Sequence, residues 1–320
     1  MNRRDAAAAL TAVLLLSAAL PVAAQQDRFA EAWLLYEQGK VLLEDPRKPE
    51  VGEALLKFRE AIDRRGADFP EAEMAIGDVY RSEGAYALAQ QQYEKAYSER
   101  AGFDTPDRKY EVLYKLADLF KVQDRYYDME RQLNTILESQ PYYSEASLPR
   151  LQDAFLQTFE AKGLDQVLRL YRMEKVSFAL QAHAELGWFY YRTGRFDPQS
   201  ILHSLFALDI AVTESMLELR RINPEYVYST LEDFLAQAAL RDNVRQFLQD
   251  SGFYRTLYYL GAATYAASHP ALASSLWKIL ASVDPAVAGE YPLLARRQLQ
   301  APWVEPYLNP SARSIEYPGS

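Results

Sequence analysis

The sequence predicts an all-α protein built as a solenoid of stacked helical hairpins. Three observations predict it. A signature of small, aromatic and alanine residues returns along the chain, clearest as Gly77, Tyr80, Gly84, Tyr86, Ala89, Tyr93 and Ala96. Glycine is scarce, 13 residues in 320, as helical hairpins require, while tyrosine is abundant at 23. Between the clear copies, apolar residues keep helical spacing, as at Leu231, Phe234, Leu235 and Ala238. A single hairpin cannot bury its apolar face, so several must stack.

The elements follow in order. Arg3 and Arg4, the apolar run Ala6 to Leu20, Pro21 and the small residues Val22-Ala23-Ala24 before Gln25 read as a signal peptide over 1–24. The solenoid is expected over 25–290. A first hairpin carries Gly39, Leu42, Ala54, Phe58, Ala61 and Pro70, with a long turn from Asp45 to Pro49. The second runs from Glu71 to Tyr97. There Gly77 and Ala89 let two helices approach, and Gly84 supplies the turn. The third has Leu116, Ala117, Phe120, Tyr126, Leu133, Ile136 and Pro141, with Met129 in place of a small residue. A fifth opens with Gly187, Tyr190, Gly194 and Phe196, and its second helix, around Ser200 to Asp209, leaves the pattern. A last copy has Leu257, Leu260, Gly261, Ala273, Trp277, Leu280 and Pro285, turning at His269-Pro270. The small residues Gly39, Gly77, Ala117, Gly187 and Gly261 fall at intervals of about 35 to 40 residues or twice that. The doubled gaps hold two degenerate units, Tyr142 to Tyr171 and Thr213 to Asp250, for about seven hairpins in all. Residues 291–320 are expected as a capping helix around Leu293 to Leu299 and a proline-rich tail. Trp303, Val304 and Tyr307 make that tail apolar enough to fold back on the last helices or into a groove.

This pattern resembles the tetratricopeptide repeat superfamily, in which a small residue lies at the eighth and twentieth positions of a 34-residue unit, with aromatics, Ala and Pro following. The resemblance implies a right-handed superhelical solenoid whose first helices line a concave face where partners bind. It places Trp33, Tyr36 and Lys40 on that face from the first unit, Met74, Asp78 and Arg81 from the second, and Tyr114, Asp118 and Lys121 from the third. Trp188, Tyr191 and Arg192 come from the fifth unit, and Arg255, Tyr258 and Tyr265 from the last. Aromatic and Arg side chains are the usual anchors of binding surfaces. Asp78 and Asp118 stand where the family's carboxylate clamp has Asn, so that specificity does not carry over. At i, i+3 they are spaced for ion pairs with Arg81 and Lys121 on their own helices.

Composition narrows the function. The net charge of -9 disfavours nucleic acid and anionic membrane surfaces. The absence of cysteine removes disulfides, thiolate zinc sites, a Cys nucleophile and a lipidated-cysteine anchor. His183, His203 and His269 lie at no metal-ligand spacing. Phosphate-binding glycine loops and nucleophile elbows are missing from the sequence, and a pair such as Glu53 and Glu60 reads as a solvated helix face. After residue 24 no stretch reads as apolar enough to cross a bilayer. The expectation is an exported bacterial scaffold, periplasmic or secreted, without enzymatic activity, cofactor or metal. It would bind a protein or peptide of the cell envelope through its concave face. The alternative is a periplasmic carrier of a small molecule or lipid, associated with a transporter, whose pocket Trp188, Tyr191 and Tyr258 would line.

Overall fold

A computed structural model describes residues 27–44, 49–142 and 147–308. The expected signal peptide, most of the Asp45–Pro49 turn and the tail from 309 onward lie outside the described residues. Among the described residues the protein is all-helical, with sixteen α-helices and no strand. They form two compact units that divide between Leu119 and Phe120.

The first unit contains α1 (27–41), α2 (Val51–Arg65), α3 (Pro70–Ser82), α4 (Tyr86–Ser98) and most of α5 (Arg108–Val122), which crosses the division. Helix α2 ends on Gly66 in the left-handed conformation, and α3 starts on Pro70, which needs no N–H partner there. Helices α3 and α4 pack closely because Gly77 has no side chain. A Cβ at that position would stand 2.5 Å from the Tyr93 ring of α4. The same relation joins Gly39 of α1 to Phe58 of α2. Ala32, Tyr36, Ala54, Phe58, Phe69 and Ile76 form a continuous buried cluster across these helices.

The second unit runs through α6 (Tyr126–Leu137), α7 (Leu148–Lys162), α8 (Leu164–Leu170), α9 (Leu180–Arg192) and α10 (Ile201–Ile222). It continues with α11 (Leu231–Ala239), α12 (Asp242–Asp250), α13 (Phe253–Ala266), α14 (Pro270–Ser282), α15 (Pro285–Ala288) and α16 (Tyr291–Gln300). In α13 and α14 the close approach recurs, with a Cβ on Gly261 falling 2.5 Å from Trp277. Trp277 is fully buried and donates its indole N–H to the Tyr258 carbonyl at 3.4 Å.

Two sequence expectations change here. Helix α10 does not stop near Asp209 but runs on to Ile222, so Thr213 lies inside it and the sixth hairpin shrinks to the short helices α11 and α12. Segment Phe196–Ile222 is also long and apolar enough to cross a membrane, contrary to the sequence reading, with a mean hydropathy of 1.3 in its richest window. That window is 83% buried inside the protein. The physical reason is the same for both. Helix α10 packs against α7, α8, α9, α12 and α13, and a helix surrounded by others must be apolar on every face. Helix α16 packs on α14 and α13 and buries Ala295 and Gln298.

Candidate functional site

In the first unit a groove of about 570 Å³ opens along α1, α3 and α5. Three sequence-derived residues of α1 line it, Trp33, Tyr36 and Lys40, together with Met74 of α3. Trp33 meets Tyr36 edge-on at 5.3 Å and Phe69 at 5.2 Å, so its indole is braced on two sides. Burial raises the Tyr36 hydroxyl above its ordinary pKa, with Arg108 of α5 acting against the shift. Lys40 donates to Glu37 at 3.0 Å and stands 5.4 Å from the Tyr36 ring centre. The hydrogen bond to Glu37 holds its ammonium above the usual lysine value. Arg108 donates to Glu111 at 3.2 Å. Glu71, fully buried, also lines the groove and accepts the Asp104 N–H at 2.8 Å. Chemically, the groove offers one braced aromatic wall and a rim of both charge signs, an arrangement suited to holding a side chain or short segment.

Arg81 and Tyr114 lie outside that lining. Arg81 forms an ion pair with Asp118 of α5, and Asp78 accepts from Lys115 of α5 at 2.9 Å and from the Tyr93 hydroxyl at 2.7 Å. The expected pair of Asp78 with Arg81 on one helix is therefore replaced by pairs between α3 and α5. Lys121 likewise goes to Glu185 rather than to Asp118. Flanking helices bring long cations closer than the next turn of their own helix does. Tyr114 is half-buried on α5.

In the second unit Lys121, Trp188 and Arg255 come together around Glu185 of α9, a residue the sequence reading missed. Glu185 accepts from Lys121 at 2.6 Å and from both terminal nitrogens of Arg255, one at 3.3 Å. Trp188, one turn further along α9, has the Lys121 ammonium 4.4 Å and the Arg255 guanidinium 5.2 Å from its ring centre. Burial pushes the Glu185 carboxyl up, but Arg255 and Lys121 outweigh it and hold it below the usual carboxylate range. The available signal was its i, i+3 spacing to Trp188; the partners that make it a hub lie 64 and 70 residues away.

The remaining face residues serve packing or the chain's own tail. Tyr258 is fully buried and its hydroxyl accepts from Gln298 at 3.1 Å. Tyr265 packs against Trp277 with ring centres 5.9 Å apart. Tyr191 and Arg192 are covered by residues 303–308. The Glu305 N–H donates to the Tyr191 hydroxyl at 2.9 Å, Arg192 Nε donates to the Pro306 carbonyl at 3.3 Å, and Leu308 N–H donates to the Arg192 carbonyl at 2.7 Å. The tail thus folds back on α9, where the sequence reading left two seats open.

Two of the three histidines, distant in sequence, meet inside the second unit. His183 Nδ1 lies 2.9 Å from His203 Nδ1, and His183 Nε2 lies 2.9 Å from the Gln140 amide. Burial, and for His183 also its neighbour His203, lowers both pKa values, that of His203 to about 3. Among the described residues, no group of three or more His, Cys, Asp or Glu could hold a metal. Asp209, fully buried on α10, accepts the Met173 N–H at 2.9 Å through one oxygen, and burial raises it to about 7.

No known protein-family profile matches the chain. An uncharacterized protein of Treponema pallidum (strain Nichols) is 29% identical to it over 222 residues, which span 69% of this chain and 59% of the relative. The matched region therefore covers less than two thirds of that relative's length.

Proposed function

We propose that this chain is an exported, non-catalytic scaffold of tetratricopeptide type that binds a protein or peptide partner along the first helices of its hairpins. The observation that carries the reading is the groove of the first unit, where Trp33, Tyr36 and Lys40 of α1 and Met74 of α3 share one opening with Arg108 of α5. The recurrent seat of an aromatic of the second helix over a glycine of the first, at Gly39, Gly77 and Gly261, supports the repeat architecture. The N-terminal basic, apolar and small-residue order supports export to the periplasm or beyond.

The test is in-cell crosslinking from a photoreactive residue placed at Lys40, on the rim of the groove, followed by mass spectrometry. A dominant protein adduct that disappears in Trp33→Ala, with helix content retained, is the expected result. A small molecule or lipid copurifying with the groove, with no protein adduct, would overturn it in favour of a carrier.

A further inference from the structure

Residues 303–308 lie outside any helix, and they are held chiefly by their main chain. Gln298, fully buried on α16, accepts the Trp303 N–H at 2.9 Å and returns its amide to the Trp303 carbonyl at 3.2 Å. Two residues on, the Tyr191 hydroxyl takes the Glu305 N–H, and Arg192 takes the Pro306 carbonyl and the Leu308 N–H. This is the way sheet edges and grooves hold a strand, through main-chain polar groups that any sequence carries. Selectivity comes from two side chains. The Glu305 carboxylate lies 3.5 Å from Arg192 and accepts from the Tyr259 hydroxyl at 3.5 Å. The Tyr307 ring stands 3.5 Å from where a Cβ on Gly194 would be and 6.1 Å from the Phe196 ring centre.

The segment is nevertheless loosely seated. Its apolar side chains are only partly covered, with Trp303 at 36%, Val304 at 38% and Tyr307 at 62% exposure. None of residues 303–308 is fully buried, so the segment's departure would leave no hole in the core. Every hydrogen bond that holds it could be made by another strand.

The geometry points to a strand-binding site. The surface made by Tyr191, Arg192, Tyr259 and Gln298 recognises an extended peptide with a carboxylate between an aromatic residue and a proline–aromatic pair. The chain's own Trp303–Leu308 holds that place until a partner strand of the same chemistry displaces it. This surface belongs to the second unit and does not depend on the reading of the groove in the first.

A labelled peptide with the sequence of residues 301–308, titrated with full-length protein and followed by fluorescence anisotropy, tests it. Glu305→Pro together with Tyr307→Ser removes both the N–H that the Tyr191 hydroxyl accepts and the carboxylate beside Arg192, which frees the site, and this released chain binds the peptide at least about tenfold more tightly than the unaltered chain. Adding Arg192→Glu to the released chain abolishes that binding and confers binding of a peptide with lysine in place of the glutamate. Tyr191→Phe, a smaller change, weakens the native peptide severalfold with helix content unchanged. Equal binding by the released and unaltered chains would overturn the inference, as would binding that ignores Arg192→Glu and Tyr191→Phe.

Discussion

Tyr93 fills the space above Gly77 and sends its hydroxyl to Asp78, which in turn holds Lys115. Because that ring is fully buried and tethered at its far end, it has nowhere to move if Gly77 acquires a side chain. Gly77→Leu is expected to destabilise the protein by roughly 1–3 kcal/mol through overpacking. The urea midpoint measures it; a wild-type midpoint would mean that α3 and α4 can separate without cost. Asp209 presents the opposite problem, a carboxyl whose buried site favours the protonated form. Its folded value, raised to about 7, lies above the ordinary 3.8. Its contribution to stability is therefore fully present below the ordinary value and lost as pH rises through 7. Asp209→Asn keeps an acceptor for the Met173 N–H without the charge. The variant should exceed the wild type in melting temperature at pH 8, with the difference vanishing near pH 4. An equal shift at both pH values would show that the site does not distinguish the charged form.

Helix α9 carries two different duties on neighbouring turns. Glu185 and Trp188 collect Lys121 and Arg255, whereas Tyr191 and Arg192 receive the tail. The first cluster ties α5 and α13 to α9 through one carboxylate. Its removal leaves two cations facing each other, and Glu185→Gln should cost roughly 1.5–3 kcal/mol at neutral pH. Glu185 has a depressed folded pKa, so its contribution is present above the ordinary 4.5 and is lost as pH falls through the lower folded value. The gap between Glu185→Gln and wild type in chemical unfolding should therefore close in acid. A gap that persists at pH 2 would assign the loss to packing rather than charge. Helix α10 illustrates the same dependence on surroundings. Its composition suits a membrane as well as a core, and its neighbours decide the matter.

Among the described residues, several ion pairs join different helices or the turns that follow them. They include Arg81 with Asp118, Lys115 with Asp78, and Arg195 with Glu130 at 3.1 Å. The two surfaces proposed for partners are the braced aromatic wall at Trp33 and Tyr36 and the seat of residues 303–308 on α9. Much of the fold was legible in advance. Helix positions, the pairing of successive helices and the glycine seats at Gly39, Gly77 and Gly261 follow from periodicities that repeat within one hairpin. The candidate site was legible only in part. Trp33, Tyr36, Lys40 and Met74 line one groove, whereas Tyr258 and Tyr265 are taken up in packing.

By itself, the sequence determined the helical periods, the small residues that admit close packing and the aromatics that fill those gaps, since all of these act within about one turn or one hairpin. Tertiary structure alone decided which carboxylate each cation would find, that His183 would meet His203, and that Glu305 would reach Tyr191 from 114 residues away. Those contacts join groups far apart in the chain. Their distances are set by how successive helices stack, a sum of many small packing choices that no local pattern of residues encodes.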